Sequence, residues 1–131
     1  MESPLVPKYL RVWFIIHFIT DYLFGLPLLL APLWSLTLFG WTNVDPFTAR
    51  LVGAALLGIG GESLLMRTAS LETFKEMLNL KIIWSISAIF GIIVTIIEGA
   101  PPMGYVFLGI FSVFSATWIY YRVRISQSNG Q

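Results

Sequence analysis

Residues 77–97 read MLNLKIIWSISAIFGIIVTII, and this stretch decides the fold. Lys81 is its one charged side chain, and nothing charged follows before Glu98. About 20 apolar residues in a helix span roughly 30 Å of hydrocarbon. Three more segments of the same kind flank it: Tyr9–Leu30, Phe47–Met66 and Met103–Tyr121. Of the 131 residues, 56% are hydrophobic and 11% charged, with a mean hydropathy of +0.79. A soluble domain carries about 25% charged residues. A larger core cannot account for the missing charge, because small domains bury proportionally less surface. The reading is all-α: a single integral membrane domain over 1–131, folded as an up-down four-helix transmembrane bundle.

Charge placement orients it. Lys8, Arg11, Arg67, Lys75, Lys81, Arg122 and Arg124 fall at the ends that share one side of such a bundle, and only Arg50 lies towards the other. Basic loops stay in the cytoplasm, so both termini are expected there. A formal net charge of +1 gives no electrostatic case for nucleic acid. The absence of cysteine removes disulfides, thiol chemistry and cysteine-based metal sites. The first segment is too long for a signal peptide, carries His17 and Asp21, and ends at Pro27 and Pro32 without a small-x-small site.

The connections carry their own signals. Pro27 lies near the outer end of the first span, where a lost backbone bond costs least. Residues 32–44, PLWSLTLFGWTNV, are too apolar for a free loop. They read as a short interfacial helix begun by Pro32 and stopped by Gly40, with Trp34 and Trp41 in the headgroup layer. Asp45-Pro46 supplies an N-cap and a proline at the first helical position. The second span is rich in small residues (Gly53, Ala54, Ala55, Gly58, Gly60, Gly61), which permit close helix packing in lipid. Ser70 is the expected cap of the third helix. Its first part, with Leu71, Phe74 and Leu78 on one face, is expected to lie along the cytoplasmic surface before the helix enters the membrane. Gly99-Ala100-Pro101-Pro102 ends that helix, and residues 125–131 read as a polar tail.

Ionisable groups in hydrocarbon are costly and are functional candidates by default. Five stand out: His17, Asp21, Arg50, Glu62 and Lys81. Arg50, Ala54, Gly58 and Glu62 are spaced by four and share a face of the second span, as His17 and Asp21 do on the first. Lys81, Ser85, Ala88, Ile92 and Thr95 form a stripe on the third. At 1.5 Å per residue, Asp21 lies about 18 Å and Arg50 about 25 Å from the inner side, a gap that an arginine can bridge. Glu62 and Lys81 each lie about 6 Å from that side. The expected arrangement is an outer Asp21–Arg50 pair, an inner Glu62–Lys81 pair, and His17 between the layers. Such pairs can serve only to fix which helix neighbours which. His17 could also relay protons or ligate a haem or chlorin, but it has no partner histidine. Trp84 and the phenylalanines read as packing or lipid-facing residues. Ser63, Ser85, Ser87, Ser112 and Ser115 read as ordinary helix-packing serines.

No nucleophile, base and orienter can be assembled, and no metal spacing exists, so no catalytic or metal residue is assigned. Gly58-Ile59-Gly60-Gly61 lacks the strand–turn–helix setting of a phosphate loop. The cofactor is unknown on this reading.

The LFG at 38–40, Asp45-Pro46 and RLVGAALLGIGGESLLMR from Arg50 to Arg67 resemble small four-helix membrane proteins of bacteria and archaea, the DoxX-like proteins and their relatives. That resemblance implies a four-helix bundle in a prokaryotic cytoplasmic membrane. It also points faintly to a hydrophobic ligand, since some DoxX-named proteins are linked to quinone-coupled sulfur oxidation, and it carries no catalytic residue over. The size also suits small multidrug transporters and fluoride channels, whose motifs are absent. Three functions follow as expectations. The first is a non-enzymatic membrane protein binding a hydrophobic small molecule or a partner membrane subunit, through the face bearing Asp21, Arg50 and Glu62. A ligand would then sit between the first and second spans, and a partner or second copy on an exposed small-residue face of the second span. The second is a small oligomeric proton-coupled transporter or channel, with Asp21 or Glu62 titrating. The third is a lipid-modifying enzyme with His17 and Asp21 as acid and base.

Overall fold

The computed structural model describes residues 5–128. Among them every regular element is a helix: α1 Lys8–Leu30, α2 Pro32–Leu38, α3 Pro46–Leu65, α4 Leu71–Glu98 and α5 Met103–Ser128. All but the short α2 are long and apolar enough to cross a membrane. The chain is an integral membrane protein. Its outward surface, with exposed Leu23, Phe90, Ile97 and Tyr105, suits lipid, where helices satisfy their own backbone groups.

Local chemistry sets the helix ends. The Asp45 carboxylate accepts the amides of Phe47 and Thr48, each at 3.2 Å, together with the Thr48 hydroxyl. The Thr48 hydroxyl and then its amide hold that carboxyl below the usual range. Ser70 caps α4 by accepting the Thr73 amide. Gly99, at φ 109°, lets α4 close on itself, so that the Ala100 amide reaches the Thr95 carbonyl, and Pro101 and Pro102 prevent its continuation. Pro27 is accommodated inside α1, which runs on to Leu30.

The helices pack as two antiparallel pairs, α1 with α3 and α4 with α5. The first pair is close because of two glycines. A Cβ on Gly53 would come within 2.8 Å of the Gly25 carbonyl oxygen and the Leu29 nitrogen, and one on Gly60 within 2.6 Å of Asp21 Cβ. The packed face of α3 is therefore Ala49, Gly53, Leu56, Gly60 and Ser63. The expected face through Arg50, Ala54 and Gly58 is turned outward, and all three are exposed. The register follows from backbone approach, which only the glycines of the first row allow.

One core joins the pairs, and it sits at the end where α1 begins and α5 finishes. There Leu10, Phe14, Leu71, Phe74, Met77, Leu78, Phe114, Trp118, Tyr121 and Ile125 form a single cluster. Two expectations change here. Leu71, Phe74 and Leu78 are buried by α1 and α5 instead of lying on a membrane surface, because α4 is continuous and its apolar face finds protein. Residues 125–128 of the expected tail are helical, since Ile125 extends the row Phe114, Trp118, Tyr121 into the core; residues 129–131 lie outside the described part. Arginines brace this end. Arg11 donates to the carbonyls of Arg67 and Ala69, and Arg122 to Asn79 Oδ1 at 2.8 Å.

Candidate functional site

Above that core the two helix pairs separate and enclose a cavity of about 860 Å³. This is within the range of small-molecule sites. Its position departs from expectation: it lies between the α1/α3 and α4/α5 pairs, and the first and second spans are packed too tightly to hold anything between them. Ser85, Ala88, Ile92 and Thr95 supply the α4 wall, and Phe107, Ile110, Phe111 and Phe114 the α5 wall. The end away from the core is roofed by aromatic rings. Phe107 packs edge-on against both Phe24 and Phe39 at 5.5 Å between centroids, and Trp41 lies 6.1 Å from Phe107. Trp41 is thus a roof residue and not a purely interfacial one. Gly40 sits against Pro101, joining the α2 end to the α4–α5 turn.

The floor is polar. His17 is 4% exposed, Asp21 6% and Lys81 2%. The Lys81 ammonium donates to Ser63 Oγ at 2.5 Å and to His17 Nδ1 at 3.1 Å, and it lies over the rings of Phe14 and Trp118 at 4.9 and 5.4 Å. The Ser63 hydroxyl donates in turn to the Ile59 carbonyl at 3.0 Å. His17 Nδ1 is therefore an acceptor, and Nε2 carries the ring proton. Nε2 faces Asp21 Oδ2 at 3.4 Å, an electrostatic contact without hydrogen-bond alignment. The imidazole, held edge-on by Phe114 and Trp118, stands between a cationic and an anionic side chain. The result is a buried chain Ser63–Lys81–His17–Asp21 drawn from α1, α3 and α4.

Of the five sequence candidates, the structure unites His17, Asp21 and Lys81. Arg50 is exposed on the outer face of α3 and does not pair with Asp21, since the glycine register turns it away. Glu62 is half-exposed and forms no ion pair with Lys81, whose ammonium is taken up by Ser63 and His17. Three residues were passed over. Ser63 and Ser85 looked like packing serines, although the four-residue step from Lys81 to Ser85 marks a shared face. Trp84 looked like a packing or lipid-facing ring, yet it lines the cavity and its Nε1 is buried without a hydrogen-bond partner. Among the described residues, Asp21 Oδ2 is the other buried side-chain atom without a hydrogen-bond partner, and Asp21 lines the same cavity.

The cavity also has a side opening. α4 meets α3 at the floor, through the Lys81–Ser63 hydrogen bond, whereas aromatic contacts such as Phe24–Phe107 and Trp13–Phe114 fill the α1–α5 side higher up. Along the α3–α4 seam Thr48, Val52, Ser87, Gly91 and Thr95 both line the cavity and remain exposed. A Cβ on Gly91 would meet nothing within 4 Å. Among the described residues, no three His, Asp or Glu side chains converge as metal ligands. No family model, curated protein or solved structure matches this chain.

Proposed function

We propose that this protein binds a hydrophobic small molecule in the cavity between its two helix pairs, and that it is not an enzyme. The observation carrying this reading is the cavity itself: large, walled by apolar and aromatic side chains, and floored by a few convergent polar groups. A bundle built only for packing would close along its whole length, as this one does at the core end. The open α3–α4 seam faces the hydrocarbon, so the molecule enters from the bilayer. In this reading the basic end, carrying seven of the eight Lys and Arg, is cytoplasmic, and the cavity belongs to the opposite half of the membrane. The membrane location and hydrophobic ligand are those that a DoxX-like relationship would imply.

The test is native mass spectrometry of protein extracted in a mild detergent. The wild type should carry a defined extra mass, and Ala88→Trp, which fills the cavity, should not. Bare protein in both cases would sink the proposal and turn attention to transport, tested as proton flux in liposomes that is lost in Asp21→Asn.

The seam gives a separate expectation. Gly91→Phe places a ring in open space, so thermal stability should be unchanged. Exchange of the bound molecule, followed by isotope-labelled competitor, should slow by about tenfold. Unchanged exchange would close the case for entry between α3 and α4.

A further inference from the structure

The cavity has a polar mouth, and the chemistry there narrows the class of ligand, granted that the cavity is a binding site. A smaller space of about 350 Å³ adjoins it at the end away from the core, between the α2–α3 connection and the α4–α5 turn. Trp41, Asn43, Thr95 and Ala100 line both spaces, and Glu98 lines the smaller one. We infer that the ligand is a single-chain amphiphile with a cationic head: the chain lies in the cavity, and the positive charge stays at the mouth beside Glu98 and Trp41.

The sign of the charge follows from the lining. His17 aside, the ionisable side chains lining the two spaces are Asp21, Asp45 and Glu98, and no Lys or Arg lines either. Two of the three acids are already engaged. Asp21 faces the His17 ring, with the Lys81 ammonium behind it. The Asp45 carboxylate holds the first amides of α3. Glu98 forms no ion pair among the described residues, and it is the last residue of α4, where the helix dipole is negative. Arg50, the one basic residue towards this end, is exposed on the outward face of α3 and does not line the mouth. A cation beside Glu98 therefore meets a carboxylate, a helix C-terminus and an indole, the ring that cations favour most. A carboxylate or phosphate head would face Glu98 and Asp45 with no basic side chain to receive it.

Depth favours an amphiphile. The mouth is built from inter-helix connections and contains Thr42, Asn43 and Glu98, so a head placed there keeps its water and avoids the large cost of burying a charge. Further in, Ala88, Ile92, Phe107 and Phe111 offer the hydrocarbon part an apolar enclosure. A molecule held head outward and chain inward is aligned as the surrounding lipids are, and it passes the α3–α4 seam without turning over.

The experiment titrates the full chain, solubilised in dodecyl maltoside, with dodecyltrimethylammonium, dodecyldimethylamine oxide and dodecanoate, and reads each adduct by native mass spectrometry. At mildly alkaline pH the three share one chain length and carry positive, neutral and negative heads. The ammonium should be retained about tenfold more tightly than the amine oxide, the combined factor for one cation–π contact and one exposed charge pair, and dodecanoate less than either. Glu98 is exposed at a helix end, so Glu98→Gln should fold normally and remove most of that preference. Glu76→Gln, exposed at the opposite end of α4, should leave it unchanged. Equal retention of the three heads, or tighter retention of dodecanoate, overturns the cationic assignment and leaves cavity binding standing. An ammonium preference undiminished in Glu98→Gln overturns the seat at the mouth. No adduct from any of the three overturns this inference, and the binding function falls with it only if the protein as extracted also carries no extra mass.

Discussion

Gly53→Leu should abolish the α1–α3 pair, while Gly58→Leu, five residues along the same helix, should be nearly silent. At Gly53 the added carbon meets the Gly25 carbonyl oxygen and the Leu29 nitrogen at 2.8 Å. Both are backbone atoms, so no rotamer change can relieve the clash. Forcing extra carbon into a packed interior costs about 1–3 kcal/mol, and more where nothing can yield. The expected loss here is at or above about 3 kcal/mol. In membranes small residues are what permit close helix approach, and little else drives two apolar helices together in lipid. At Gly58 the added side chain meets nothing within 4 Å and points outward with Ala54 and Arg50. Thermal unfolding in detergent, followed by size-exclusion profile, checks the pair. Gly53→Leu should fall by roughly 10 °C or more, or fail to yield monodisperse protein. Equal behaviour of the two variants would mean that α1 and α3 are not in the register described.

That register is also where reading the sequence stops. The four spans, the short helix at Pro32, and the caps at Asp45 and Ser70 were legible because each rests on local chemistry: hydrophobic length, a proline at the first helical position, a side-chain acceptor before the first turn. The partner of each polar residue was not. Two rows of α3, Arg50–Ala54–Gly58–Glu62 and Ala49–Gly53–Leu56–Gly60–Ser63, differ by one residue in phase, and both contain small residues. Only the backbone of α1 chooses between them. Charge complementarity favoured the first row on paper, since it offered a cation for Asp21 and an anion for Lys81. The structure takes the second, and Lys81 is met by a serine and a histidine instead. Depth along the helix axis placed the charges at sensible levels but carried no information about rotation. The cavity was hidden for the same reason: its α4 wall was visible as a stripe, but which helices faced that stripe was not.

The core adds a second reason. Leu71, Phe74 and Leu78 carry an apolar face that suits a membrane surface and a helical core equally well. What separates the two outcomes is the row Phe114–Trp118–Tyr121–Ile125 on a different helix, α5. Because that row closes the core end so completely, the cavity can stay open at the other end without loss of the fold. Stability and the candidate site are thus divided along the bundle axis, and substitutions in the roof, at Phe39 or Trp41, should alter binding before they alter folding.

Lys81→Met should be among the most destabilising single substitutions in the chain, and adding Asp21→Asn should recover part of the loss. Lys81 is 2% exposed, and its ammonium has three satisfied directions: Ser63 Oγ, His17 Nδ1 and the faces of Phe14 and Trp118. Removing one member of a buried charged set typically costs about 3–5 kcal/mol, because the other is left uncompensated. Here the stranded group is Asp21, with the His17 ring between them, and His17 Nδ1 also loses its donor. Neutralising Asp21 removes the stranded charge, so the double variant should be more stable than Lys81→Met alone by about 1–3 kcal/mol of coupling. Arg50→Ala is the control: Arg50 is exposed and has no ion-pair or hydrogen-bond partner among the described residues, so its loss should fall within about 0.5 kcal/mol. Thermal or denaturant unfolding of five proteins in one detergent (wild type, Lys81→Met, Asp21→Asn, the double variant and Arg50→Ala) measures all three quantities. Additive effects at Lys81 and Asp21 would show that His17 does not couple them. A Lys81→Met variant no weaker than Arg50→Ala would show that the buried chain contributes nothing to the fold. Strong coupling would instead mean that any ligand meeting Asp21 also acts on Lys81 through the imidazole, which makes the floor of the cavity a single electrostatic unit.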